Sequence, residues 1–156
     1  MGIGLHEILM VVFLALLALV TVSDIKDKKI PNKYIIAVLG LGIVAAIFIP
    51  ELALWERVIG FFTVSTPLFL INMIAPGSFG GGDIKLMAVS GIFLGFQLIL
   101  LSLLIAIFTG GIFGVWLLLV KGKEKKGHFP FGPFLCGGMG IALLLGDMLL
   151  FVLFSL

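Results

Sequence analysis

Long apolar segments constrain this chain most, because they have the length that a helix needs to cross a lipid bilayer. A membrane-spanning helix takes roughly 20 mostly apolar residues, and Leu5–Ser23 supplies such a run, with His6 and Glu7 at its outer edge. Charged residues make up 12% of the 156 positions, against about 25% in soluble domains. We therefore expect lipid to be the solvent, and the length allows one compact membrane domain over residues 1–156.

Further apolar segments predict an all-α, polytopic membrane fold with about six helices. The stretch from Ile84 to Val120 is too long for one crossing, so we divide it near Gly95 into a short fourth helix and a full fifth, with Gly91 as an additional interruption. Polar residues at 24–33 and 51–57 are expected to form turns. The other predicted spans are Tyr34–Ile49, which is rather short, Val58–Ala75 and Phe134–Phe154.

The basic residues predict the orientation of these helices, since lysine and arginine favour cytoplasmic loops. With six crossings, nine of the ten basic residues fall on one side and only Arg57 on the other. The bias predicts a cell-membrane protein with both termini outside. The net charge of +2 gives no indication of nucleic-acid binding. The nine are Lys26, Lys28, Lys29, Lys33, Lys85, Lys121, Lys123, Lys125 and Lys126.

Two of the eight acidic residues fall at predicted cytoplasmic ends of helices. A carboxylate near hydrocarbon is costly and usually has a function. Asp24 lies where the first helix ends and Asp83 where the fourth begins, at the same predicted depth. Two close carboxyl groups share a proton, so one can act as a base on water and the other as an acid, which is sufficient to hydrolyse a peptide bond. From the helix ends alone, Asp83 is the expected carboxylate and Asp24 the expected proton holder.

The three glycines before Asp83 allow two interpretations. Gly80, Gly81 and Gly82 have no Cβ atom, so that backbone or substrate could approach closely. The same segment is also typical of a flexible linker in which Asp83 only caps the following helix. Taken alone, these four residues leave both interpretations open.

Three segments resemble the motifs of the type IV prepilin peptidases, which are GxGD-type intramembrane aspartic peptidases. Ser23-Asp24-Ile-Lys-Asp-Lys-Lys-Ile-Pro-Asn32 is similar to their first-aspartate motif, and Gly80-Gly81-Gly82-Asp83-Ile-Lys85 to their Gly-x-Gly-Asp motif. Phe129-Pro-Phe-Gly-Pro-Phe134 resembles the proline-glycine signature ahead of their last helix. The three occur in the right order and cover nearly the whole chain. Presenilin-like proteases share the Gly-x-Gly-Asp feature, but the other two segments favour the prepilin branch.

The resemblance implies an aspartic endopeptidase that removes the short basic leader of prepilin-like precursors at the cytoplasmic membrane face. Asp24 and Asp83 would be catalytic, with no cofactor and no metal ion. The partners would be the lipid bilayer and a single-pass substrate such as a type IV pilin, a pseudopilin or an archaeal-type filament protein, while the oligomeric state stays open. Asp27 and Glu124 are the expected contacts of the basic leader. The residues expected to bind substrate or to support the motifs are Gly80, Gly81, Gly82, Lys85, Asp27, Pro31, Asn32, Pro130, Gly132 and Pro133.

One difference from many bacterial members concerns an N-terminal region with paired Cys-x-x-Cys motifs. In this sequence the first predicted helix begins almost at once, and Cys136 is the single cysteine. We therefore expect a short form that lacks the cysteine-rich region. Many members also methylate the new N-terminus, and on the same ground we expect the product of this chain acting alone to keep an unmethylated amine.

A small ion- or proton-coupled transporter or channel subunit is the alternative from another class. Intramembrane aspartates also mark ion pathways, and glycine-rich breaks occur in discontinuous transporter helices. Against this alternative, the sequence shows no inverted repeat, and Asp24 and Asp83 share one predicted depth. A purely structural assembly subunit is a third interpretation, and it leaves the coincidence of the two aspartates unexplained.

Overall fold

The computed structural model describes residues 4–121 and 131–155, and these are almost entirely helical. Four of the helices are long and apolar enough to cross a membrane, and α2 is a shorter apolar helix of 17 residues. The chain is therefore a multi-pass membrane protein, as its apolar segments predict. The helices are α1 (Leu5–Asp27), α2 (Asn32–Phe48), α3 (Leu54–Ile74), α4 (Gly81–Lys121) and α5 (Gly132–Phe154).

Helix α4 is broken at Gly95, where φ is 76° and ψ is 174°. This positive φ is a conformation that favours glycine. The predicted division near Gly95 is confirmed, since residues 81–94 form a short helical segment and residues 96–121 a long one. The expected interruption at Gly91 is wrong. Gly91 is helical and lies directly against the backbone of Gly60 in α3.

The contacts along α5 show that the two segments of α4 run in opposite directions. Near the end of α5, Gly146 contacts Leu98. Just before the start of α5, Phe131 contacts Gly110. Residues 96–121 are therefore antiparallel to α5. The segment 81–94 also begins beside Phe131, because the ring of Phe79 contacts it. The chain thus reverses at Gly95 and crosses the bundle twice within α4.

The bundle has two ends, which we name by the residues found there. The aspartate end holds Asp24, Asp83 and the start of α5, and the Gly95 end holds the reversal of α4. His6 and Asp147 line one cavity of about 550 Å³ together with Leu94 and Leu98. The first helix therefore begins, and the last helix ends, at the Gly95 end.

The helices extend beyond the apolar spans from which they were predicted. Helix α1 continues past Ser23 to Asp27 and stops where Lys28 takes a left-handed conformation with φ of 51°. Helix α2 starts at Asn32, inside the predicted polar turn, and α5 starts at Gly132. Apolar residues indicate which part of a helix lies in lipid. The helix itself continues until the backbone N–H or C=O groups at its end are satisfied by other hydrogen-bond partners.

Glu56 and Arg57, which were expected in a solvated turn, lie in the first turn of α3. Glu56 accepts a hydrogen bond from the N–H of Ala53 over 3.1 Å and so caps the helix. The side chain of Arg57 is 3% exposed and joins the end of α2 and the segment 81–94 to the start of α3. Its guanidinium donates to the carbonyl oxygens of Ala45, Ile49, Leu52 and Ile92.

Candidate active site

Asp24 lies in the last turn of α1 and is buried, with 6% of its surface exposed. Its carboxyl group rests against Gly132, the first residue of α5, where an added Cβ would lie 2.5 Å from Oδ2 and 2.8 Å from Cγ. The carboxyl group is therefore at the N-terminus of α5, where the helix dipole favours an anion. Asp24 was expected to hold the proton because it lies at the C-terminal end of α1, but the N-terminus of α5 acts in the opposite direction on the same carboxyl group.

Asp83 lies in the first turn of α4 and is also buried, with 7% of its surface exposed. Its Oδ2 atom accepts a hydrogen bond from the backbone N–H of Gly80 over 3.3 Å. Asp83 thus caps α4, as the linker interpretation expects. Its burial, however, distinguishes it from an aspartate in a solvated linker. A carboxyl group held in this way at a helix start is both oriented and electrostatically favoured.

The two aspartates lie at the same level of the bundle. The rings of Phe13 in α1 and Phe93 in α4 stack with centroids 4.4 Å apart. These two residues therefore lie at the same level and give a common reference point on the two helices. Asp24 follows Phe13 by eleven residues, and Asp83 precedes Phe93 by ten. At about 1.5 Å per residue, these distances are about 16 Å and 15 Å along antiparallel helices. Both carboxyl groups therefore reach the same depth.

Cys136 lies in the second turn of α5, near enough to both aspartates for their charges to act on its thiol. It is buried, its thiol is hydrogen-bonded to the side chain of Thr21, and it interacts electrostatically with both Asp83 and Asp24. The Thr21 hydroxyl also donates to the carbonyl oxygen of Leu17. In the sequence Cys136 stood out only as the single cysteine, and no pattern indicated its proximity to these polar groups.

The three glycines before Asp83 are not equivalent. A Cβ atom on Gly80 would lie 3.0 Å from Oδ2 of Asp83, and one on Gly82 would lie 3.0 Å from Cβ of Ile30 in the α1–α2 connection. A Cβ on Gly81 would meet nothing within 4 Å. The first and third glycines therefore permit close packing around Asp83. The middle one faces open space, which agrees with the variable position of a Gly-x-Gly-Asp motif.

The loop between α3 and α4 is held by Asn72, which no sequence pattern distinguishes. Its Oδ1 atom accepts hydrogen bonds from the backbone N–H groups of Gly77 over 3.1 Å and of Phe79 over 3.5 Å. The Phe79 ring then contacts Phe131 across the bundle. A single half-buried asparagine in an apolar helix gave little signal in the sequence.

The other predicted site residues occupy the edges of the aspartate end. Asp27 is the exposed last residue of α1, and Pro31 is the N-cap of α2, followed by Asn32 as its first residue. Lys85 is exposed and lines a groove of about 260 Å³ between α3 and α4. Pro133 is in the first turn of α5. Pro130 and Glu124 lie outside the described residues.

The fold and this site define a multi-pass helical membrane protein with two buried carboxyl groups at one end of its bundle. The family model of the type IV leader peptidases matches residues 11–115. The chain belongs to this family. The matched range contains Asp24 and Asp83, whereas Gly132 lies beyond it.

Curated relatives agree with this family membership. The prepilin leader peptidase/N-methyltransferase of Bacillus subtilis is 32% identical over 149 residues, which cover 96% of this chain and 60% of the relative. Proteins of the same name from Pseudomonas aeruginosa and Stutzerimonas stutzeri are 30% and 29% identical over 131 residues, or 81% of this chain. The chain spans between 45% and 60% of the length of these relatives. No solved structure matches it significantly, and the matches lend no support to the transporter alternative.

Proposed function

We propose that this chain is an aspartic endopeptidase that removes the leader of prepilin-like precursor proteins. The observation that carries the proposal is the burial of Asp24 and Asp83 at one level of the bundle, with each carboxyl group beside the N-terminus of a helix. Membership of the leader peptidase family and the names of the relatives supply the substrate class.

The chemistry needs one carboxylate and one carboxylic acid beside a water molecule. The carboxylate takes a proton from water as the water oxygen attacks the scissile carbonyl carbon, while the acid gives its proton to the carbonyl oxygen. In the second step the first carboxyl group returns its proton to the leaving nitrogen as the C–N bond breaks. The second carboxyl group then recovers its proton from the hydroxyl. Since the Asp24 carboxyl group is beside the N-terminus of α5 although Asp24 lies in the last turn of α1, helix ends alone do not assign the two roles.

The basic residues favour a cytoplasmic location for the aspartate end. Lys26, Lys28 and Lys29 follow Asp24 directly, and Lys85 follows Asp83. Lysines of this kind favour the cytoplasmic side of a cell membrane, which puts both chain termini outside. The substrate would be cut in the extended segment before its own transmembrane helix, because a peptide bond inside a helix is poorly accessible. Asp27, exposed just beyond Asp24, is a suitable contact for a basic leader.

The proposal is tested with purified protein in lipid nanodiscs and a substrate that has a basic leader, a glycine and one apolar helix. Asp24→Asn and Asp83→Asn should each reduce cleavage to background while the protein stays folded, since asparagine keeps the shape but exchanges no proton. Asp147→Asn, an exposed residue at the Gly95 end, is the matched control and should cleave normally. Near-normal cleavage by either of the first two variants would refute the assignment.

A further inference from the structure

The carboxyl groups of Asp24 and Asp83 have similar packing environments. Each carboxyl group rests against a glycine at the start of a helix, Gly80 for Asp83 and Gly132 for Asp24. In both cases the residue before the glycine is a phenylalanine. The rings of Phe79 and Phe131 are in contact, with centroids 5.8 Å apart and planes inclined by 58°. A continuous path of contacts therefore joins one carboxyl group to the other through two Phe-Gly pairs.

The glycine at position 132 is required for space rather than for its backbone conformation. Among the described residues, the glycines with positive φ are Gly77 and Gly95, so Gly132 adopts angles that any residue tolerates. An added Cβ would lie 2.5 Å from Oδ2, 2.8 Å from Cγ and 3.2 Å from Cβ of Asp24. Rotation of the side chain can move the oxygen atoms but not the Cβ atom. A methyl group at position 132 therefore displaces the carboxyl group and presses α5 away from α1.

We propose that Gly132 is a positioning residue. Because it has no side chain, it leaves a space at the start of α5, which we call the seat, that the Asp24 carboxyl group occupies. The Phe79–Phe131 contact keeps this seat aligned with the corresponding space that Gly80 leaves for Asp83. The inference rests on the proposed function and deepens it. Two carboxyl groups that share a proton and one water must be held closely, since a displacement of about 1 Å can cost about 100-fold in rate. Gly132 and Phe131 are proposed to act through the position of Asp24 and not through contact with the substrate.

The kinetic test compares Gly132→Ala with Gly137→Ala in the nanodisc cleavage assay. Gly137 lies in the same helix, and a Cβ there meets nothing within 4 Å. We expect kcat of Gly132→Ala to fall by about 100-fold with KM nearly unchanged, while Gly137→Ala matches the wild type. Normal kcat in Gly132→Ala would overturn the proposal. Gly80→Ala, in which the Cβ lies 3.0 Å from Oδ2 of Asp83, should show a smaller loss of the same kind and serves if Gly132→Ala does not fold.

A second measurement separates this proposal from the proposed function. Dicyclohexylcarbodiimide labels carboxyl groups in apolar surroundings, and mass spectrometry of peptides gives the labelling rate of Asp24 without any substrate. The rate should change several-fold in Gly132→Ala and stay constant in Gly137→Ala. If the labelling rate of Asp24 changes in Gly132→Ala but the wild type does not cleave the substrate, the role of Gly132 is confirmed and the proposed peptidase function is wrong. If cleavage is lost with labelling unchanged, Gly132 has a merely structural role and the proposal is wrong.

Discussion

The guanidinium of Arg57 donates a hydrogen bond over 2.9 Å to the carbonyl oxygen of Ile92, three residues before the chain reverses at Gly95. The same group donates to Ile49 over 2.9 Å and to Ala45 over 3.2 Å at the end of α2. Ala45 also accepts from the Ile49 N–H, but most carbonyl oxygens at a helix end lack partners within that helix, and a cation there is favourable. One side chain therefore caps two helices at the Gly95 end.

Arg57→Met should destabilise the protein strongly. Methionine fills part of the space but donates no hydrogen bond, so that the four carbonyl oxygens lose this buried donor. We expect a loss of about 3 kcal/mol in the free energy of unfolding, or about 6–12 °C in Tm. Thermal denaturation in detergent measures this loss. The matched control is Lys26→Met, which removes an exposed cation and should leave Tm nearly constant. Equal Tm values for the two variants would contradict the capping role.

Gly91→Ala should separate α3 from α4. The backbone of Gly91 lies directly against that of Gly60, and an added Cβ would meet the Gly60 carbonyl group. Small residues allow such close approach of membrane helices, and overpacking typically costs about 1–3 kcal/mol. The control is Gly111→Ala in the other segment of α4, where a Cβ meets nothing within 4 Å. Thermal denaturation should show a lower Tm for Gly91→Ala only, and an unchanged Tm would mean that the helices adjust freely.

The sequence predicted the features that depend on composition and on chain length. Apolar runs gave the membrane helices, and the excess length between Ile84 and Val120 gave the reversal at Gly95, because a bilayer has a fixed thickness. Gly91 and Arg57 were misinterpreted for one shared reason. Their functions depend on partners far along the chain, Gly60 for the former and Ile92 for the latter, and local pattern carries no information about such pairs.

The site was predictable only in part for the same reason. Asp24 and Asp83 stood out because carboxylates are rare in apolar segments. The contact of Asp24 with Gly132 depends on how α5 packs against α1. The sequence of a proline-glycine segment does not indicate which side chain from another helix packs against its glycine. Asn72 and the Phe79–Phe131 contact were missed because one asparagine and two of fifteen phenylalanines are unremarkable without their neighbours.

Gly82→Ala should impair cleavage more than Gly81→Ala. A Cβ on Gly82 would press on Ile30, whose segment follows Asp24 along the chain, whereas a Cβ on Gly81 would face open space. We expect a fall in kcat on the order of tenfold for Gly82→Ala, because a shift of a few tenths of an ångström reaches the reacting groups. Initial rates in the nanodisc assay measure both variants. Equal loss in the two would show that the glycines act through backbone flexibility instead.

Phe79 and Phe131 should be energetically coupled in catalysis, since their rings join the supports of the two aspartates. Aromatic pairs contribute about 0.5–1.5 kcal/mol beyond their buried area, so the coupling in kcat should be about 2- to 10-fold. The measurement is a double-mutant cycle with Phe79→Ala, Phe131→Ala and the combined variant. Once either ring is removed, the contact is gone, and the second substitution should therefore cost less than it does alone.

A second cycle supplies the control for this coupling. Phe108 is 75% exposed on the lipid-facing surface of α4, so Phe79→Ala and Phe108→Ala should combine additively, as substitutions without shared partners do. Tm is measured for every variant, because a loss of kcat that merely follows Tm would indicate general loosening of the bundle. Additive effects of Phe79→Ala and Phe131→Ala on kcat would mean that the two aspartates are held independently, and the ring contact would then have no part in aligning them.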